Sequence, residues 1–111
     1  MRIRLSELAA FKIQALLDFL EEKWSVKTKE KFIQRFTDHL KALEKTPEGF
    51  PQSEVRPELR KLVVTKHTAI LYQIAKDSIF IVILMDSRQD PHSIEKEIEK
   101  HFGQERSDRK I

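Results

Sequence analysis

Charged and apolar side chains alternate from Arg2 to Leu5, as they do along a short strand, and the period then changes. Ser6 reads as a helix cap, with Glu7 in the first turn. Beyond it Ala9, Ile13, Leu16, Leu17, Leu20 and Trp24 recur at helical spacing, while Lys12, Gln14, Asp18, Glu21 and Glu22 stay mostly off that stripe. The pattern predicts an amphipathic helix of about five turns, with Trp24 packed at its end. Ser25 reads as a second cap, and Phe32, Phe36, Leu40 and Leu43 form another stripe that stops before Pro47. So short a joint between the helices predicts a hairpin.

Three prolines and Gly49 break any periodicity between Thr46 and Pro57, which predicts a loop. After it the chain turns β-branched and apolar in three runs, Leu59 to Thr65, Ala69 to Ala75 and Ile79 to Met85. Short polar triplets separate them, so an antiparallel meander is expected. The last run is apolar at every position, as a central strand covered on both faces would be. The helical hairpin can cover one face, which leaves Ile94, Ile98 and Phe102 of a final helix to cover part of the other. The expected order is β-α-α-β-β-β-α, an α+β fold with helices packed on one mainly antiparallel sheet.

At 111 residues the chain fits one domain, assigned to 1–103, with a polar tail over 104–111 that is expected to fray. It has no cysteine, which excludes disulfides and thiolate chemistry. No secretory leader is expected, and no apolar run approaches the roughly 20 residues of a membrane span. A cytoplasmic location suits these features. Net charge is +3 with 35% charged residues, a surface of mixed sign. Between Arg56 and Arg88, however, six Lys and Arg face three Asp and Glu, so an anion-facing surface is expected there. Four scattered histidines fit no ligand spacing, and neither a metal nor another cofactor is expected.

The element order resembles that of the RelE/ParE superfamily, toxins of bacterial type II toxin-antitoxin systems that include plasmid stabilisation proteins. Local segments agree with it: Leu20 to Ser25 at the end of the first helix, Pro47 to Pro51 in the loop, and Leu59 to Val64 opening the second strand. Leu71 to Ile74 and Asp86 to Pro91 add to the likeness. The resemblance implies a growth-inhibiting toxin neutralised by a cognate antitoxin, as a toxin dimer or as a heterotetramer with that antitoxin. Its two branches differ in target: RelE-like members cleave messenger RNA in the ribosomal A site, whereas ParE-like members are not nucleases and poison DNA gyrase. The chain resembles the ParE branch more closely. Arg60 and Arg88 fall where RelE-like enzymes carry basic residues, but Leu62 and Ala69 fall where further cations would be expected. Ile94 stands near the place of their C-terminal tyrosine.

Arg88 is the leading candidate contact, because it follows the most apolar strand and precedes the stiffening Pro91. The alternative reading is a local ion pair with Asp86 or Asp90. Arg60 and Lys61 should point to opposite faces, with Arg60 favoured by its family position. Tyr72 reads as a core or groove-edge aromatic, and His92 as a cap of the last helix. Together with Ile94, Ile98 and Phe102, these residues form the expected target- or antitoxin-binding set. Arg60 and Arg88 are the only catalytic candidates should the chain be a metal-independent ribonuclease. A domain that only binds antitoxin is the third reading.

Overall fold

Two serine caps set the helical half. The Ser6 hydroxyl accepts from the Ala9 N–H at 2.9 Å, and the Ser25 hydroxyl from the Thr28 N–H at 3.0 Å. They start α1 (Glu7–Lys23) and α2 (Val26–Lys45) after strand β1 (Arg2–Leu5). The computed structural model describes the backbone of residues 2–110 and the side chains of residues 2–102, so the side chains of the tail expected over 104–111 lie outside the described set. A 3-10 turn at Pro47–Gly49 opens the loop. Strands β2 (Arg60–Thr65), β3 (Thr68–Ile74) and β4 (Ser78–Asp86) then form the expected meander, and α3 (Pro91–Lys110) closes the chain.

The strands lie in the order β1-β4-β3-β2, with β1 parallel to β4 and the other pairs antiparallel. Strand β4 is therefore central and needs apolar residues on both faces. Ile79, Ile81 and Leu84 meet the helical hairpin, whereas Val82, Ile83 and Met85 join the cluster around α3. Adjacent residues share a face because of a bulge: Leu71 pairs with Ile83 and Tyr72 with Ile81, which leaves Val82 as an extra residue. The Ser6 hydroxyl donates to the Val82 carbonyl at 2.6 Å, so one side chain caps α1 and satisfies the bulge.

Trp24 departs from expectation. It is 70% exposed, because it sits at the C-cap of α1 where the backbone leaves helical geometry and carries the ring off the stripe. Phe11 and Phe19, also exposed, show that α1 has apolar residues outside its core face.

The cover provided by α3 is also fuller than its narrow stripe suggested. Ile94 and Ile98 are 1% and 2% exposed, and Leu8, Val55 and Leu59 complete the layer. Phe102 meets Phe80 edge-on at 6.2 Å. Ion pairs hold α3 from both sides, Lys12 to Glu97 at 2.7 Å and Arg56 to Glu95 and Glu99 at 2.8 and 2.5 Å. No helix among the described residues is long and apolar enough to cross a membrane.

Candidate functional site

The turn after β4 is built by backbone and side-chain hydrogen bonds that tie it to the β2–β3 turn. Ser87 donates its N–H to the His67 carbonyl at 2.9 Å and its hydroxyl to the Lys66 carbonyl at 3.0 Å. On this base stands Arg88, whose side chain is 66% exposed. Its Nε and Nη2 donate to the two oxygens of Asp86 at 3.0 and 2.6 Å, and its N–H donates to Oδ1 at 2.9 Å. The two readings of Arg88 are thus compatible in geometry: the pair with Asp86 fixes the guanidinium, and the fixed guanidinium faces solvent. Lys66 and His67 are exposed beside it, giving this end of the sheet a basic character.

The pairing leaves a signature in titration. The Arg88 guanidinium and N–H hold the Asp86 carboxyl down at about 2. A carboxyl depressed below its unfolded value of about 3.9 stabilises the fold above that pH, and the contribution is lost as pH falls toward 2. Both groups are solvated, so the effect on stability is small. The carboxyl resonance of Asp86 should therefore titrate near 2 in the native protein and move up toward the ordinary range in Arg88→Ala. An unchanged midpoint in the variant would show that the pair does not form in solution.

Arg60 has a structural task. Its Nη1 donates to the carbonyls of Glu48 and Phe50 at 3.1 and 2.6 Å, and its strand neighbour Tyr72 donates its hydroxyl to the Pro47 carbonyl at 2.6 Å. Together they fasten the 47–50 loop to the sheet. Tyr72 is fully buried and burial pushes its phenol above the ordinary range, so it remains a protonated donor and meets no partner. Of the two readings given for Tyr72, core or groove edge, its burial is that of a core residue. Lys61, on the opposite face, lines a cavity of about 480 Å³ with His39, Phe50 and Leu62. Arg60 is thus occupied by loop carbonyls, whereas Lys61 has no ion-pair partner among the described residues.

The remaining candidates do not converge. Ile94 and Ile98 are core residues, and Phe102 packs on Phe80. His92 is exposed in the first turn of α3, but Asp90 occupies the cap position: its carbonyl accepts from the Ile94 N–H at 3.2 Å. Arg60 lies opposite Tyr72 and Ile81, whereas Arg88 follows Asp86, which lies opposite Thr68. At about 3.3 Å per strand residue the two arginines stand on the order of 15 Å apart, too far to share one small anion. Lys31 and Arg35 of α2, which the sequence reading did not single out, are exposed cations on the same helix face. They line a second cavity, of about 440 Å³, with Phe32 and Thr65.

A comparison with curated proteins finds no match. Among solved structures, the chain is similar to one described as the chromosomal ParDE TA system from P. aeruginosa, with 19% identity and a TM-score of 0.66 over 78% of this chain and 95% of that one. It is also similar to a YoeB/ParE toxin from Agrobacterium tumefaciens, with 11% identity and a TM-score of 0.56 over 78% of this chain and 98% of that one. At such identities these matches speak for the fold. The family model for the ParE toxin of type II toxin-antitoxin system, parDE, matches residues 3–91, nearly all of the α-hairpin and sheet described above. The chain therefore belongs to the ParE toxin family of type II toxin-antitoxin systems.

Proposed function

We propose that the protein inhibits growth by acting on DNA gyrase without catalysing a reaction itself, and that a cognate antitoxin neutralises it. The observation that carries this reading is what occupies the positions expected of a RelE-like nuclease. Cleaving RNA without a metal needs a base for the 2′-hydroxyl, an acid for the leaving oxygen and cations for the phosphorane. Here Leu62, Ala69 and Ile94 are apolar and buried. Arg60 is engaged with loop carbonyls and Tyr72 with the Pro47 carbonyl. Side chains so placed do not reach a phosphodiester. Arg88 is left as an exposed guanidinium that Asp86 holds in place through Nε and Nη2, so a contact with an anionic group on a protein target would use its outer edge or exchange it from Asp86.

Purified protein added to gyrase and relaxed plasmid is expected to stop supercoiling and leave cleaved DNA, while messenger RNA on programmed ribosomes stays intact. Intact supercoiling together with A-site cleavage would replace this reading with the ribosome-dependent nuclease.

A further inference from the structure

The outer side of α1 carries an apolar ridge in full contact with solvent. Phe11, Ala15 and Phe19 follow one another at four-residue intervals along one side of the helix. Phe11 stands two residues from both Ala9 and Ile13 of the core, which places it on the opposite side of α1. It is 70% exposed, Phe19 is 50% exposed, and Ala15 between them is exposed as well. Contiguous exposed apolar groups of this size mark contact surfaces. The small Ala15 leaves a notch between two rings whose positions lie about 12 Å apart along the helix axis.

Charge around the ridge is mostly of one sign. Glu7, Asp18 and Glu22 share this side of α1, four residues before Phe11, three after Ala15 and three after Phe19. None of them joins an ion pair among the described residues, and Asp18 accepts a hydrogen bond from the Gln14 amide at 2.9 Å. Lys12 is engaged by Glu97 at 2.7 Å, which leaves Lys23 in the last turn as the other cation of α1. Toward its N-terminal end the ridge runs into a cavity of about 440 Å³ between α1 and α3, lined by Glu7, Leu8, Phe11, Glu97 and His101. Leu8 and Phe11 supply an apolar wall there, and Glu7 and Glu97 supply two carboxylates.

We propose that this side of α1 docks a basic amphipathic helix of a partner protein, with a large apolar side chain seated on Ala15 between Phe11 and Phe19 and a lysine or arginine in the cavity between α1 and α3. The stem of that basic side chain lies on Leu8 and Phe11 while its head group meets Glu7 and Glu97. A helix suits the surface because the backbone of α1 is satisfied within α1 and offers no edge to extend as a strand, so recognition falls to side-chain ridges and grooves. The acidic rim decides against the other occupants. Nucleic acid and an anionic lipid surface meet like charge at Glu7, Asp18 and Glu22, and a second copy packed ridge to ridge adds three more carboxylates to the same interface.

The test uses the full chain with three probes: a synthetic helical peptide with leucines at helical spacing on a lysine background, its counterpart on a glutamate background, and phosphatidylglycerol vesicles. The lysine peptide is expected to bind, to shift the amide resonances of Phe11, Ala15, Phe19, Glu97 and His101, and to weaken with added salt. The glutamate peptide and the vesicles should leave those resonances unmoved. Ala15→Arg fills the notch and sets a cation against the incoming ones, at an exposed helical position where arginine is well tolerated. It should lower the affinity at least roughly tenfold, the factor that about 1.4 kcal/mol produces, with an unchanged melting midpoint. Phe11→Ala, which removes a ring that stands mostly in solvent, should weaken the same peptide to a similar degree. An Ala15→Arg protein that binds as tightly as the native chain, equal binding of both peptides, or shifts confined to other surfaces would each overturn the proposal. Vesicle binding that moves the same resonances would overturn it in favour of a lipid surface, and the same shifts on concentrating the chain alone would overturn it in favour of a second copy.

Discussion

Replacing Arg88 by alanine is expected to relieve the growth arrest caused by the unpartnered protein while leaving its fold intact. Arg88 rises from a turn whose backbone is fixed by Ser87, Asp86 and Gln89, so removing the side chain takes away an exposed guanidinium and little packing. Exposed substitutions of this kind usually change stability by less than about 0.5 kcal/mol. A charge-assisted contact at a target is worth about 1.5–3 kcal/mol, a loss of roughly ten- to a hundredfold in affinity. Arg88→Lys keeps the charge but not the two-nitrogen grip on Asp86, and should fall between the native protein and Arg88→Ala. Colony counts after induction, together with thermal melts of each variant, measure both halves. An Arg88→Ala protein as toxic as its parent would remove this residue from the contact surface.

The largest expected loss of stability lies in α3. Ile98 is 2% exposed and packs in the cluster that includes Val82, Ile83, Met85 and Ile94. Truncating a buried isoleucine to alanine removes transferred apolar area and leaves a cavity, and costs about 2–5 kcal/mol. For a domain with total stability of about 5–15 kcal/mol this is a large fraction. Ile98→Ala should therefore shift the urea midpoint down sharply, with a similar effect from Ile94→Ala. A variant that melts like the parent would mean that α3 is a loosely attached cover, the weaker role its three-residue stripe first suggested.

Much of the fold was legible because period and caps act locally. Ser6 and Ser25 marked the helix starts, and the three strands begin and end within a residue of the expected runs. The parallel pairing of β1 with β4 was not legible, since it depends on how a distant strand closes the sheet. Uninterrupted apolar character in β4 announced burial on both faces but concealed the bulge at Val82, which only the register reveals. The site was less legible than the fold for the same reason. Arg60 and Tyr72 carry polar groups in a basic segment, and sequence alone does not show that those groups are satisfied by the carbonyls of Pro47, Glu48 and Phe50. Trp24 matched the helical period, yet it sits one residue past the last turn that could bury it.

We propose that this ParE-family toxin acts on DNA topology rather than on messenger RNA. Its most direct test in cells is to induce the protein alone and, within minutes, follow both chromosome breakage with the SOS response and the ends of cellular transcripts. Broken DNA and SOS induction are expected while messages keep their normal ends. Codon-phased cuts in translated messages, with an intact chromosome, would contradict it.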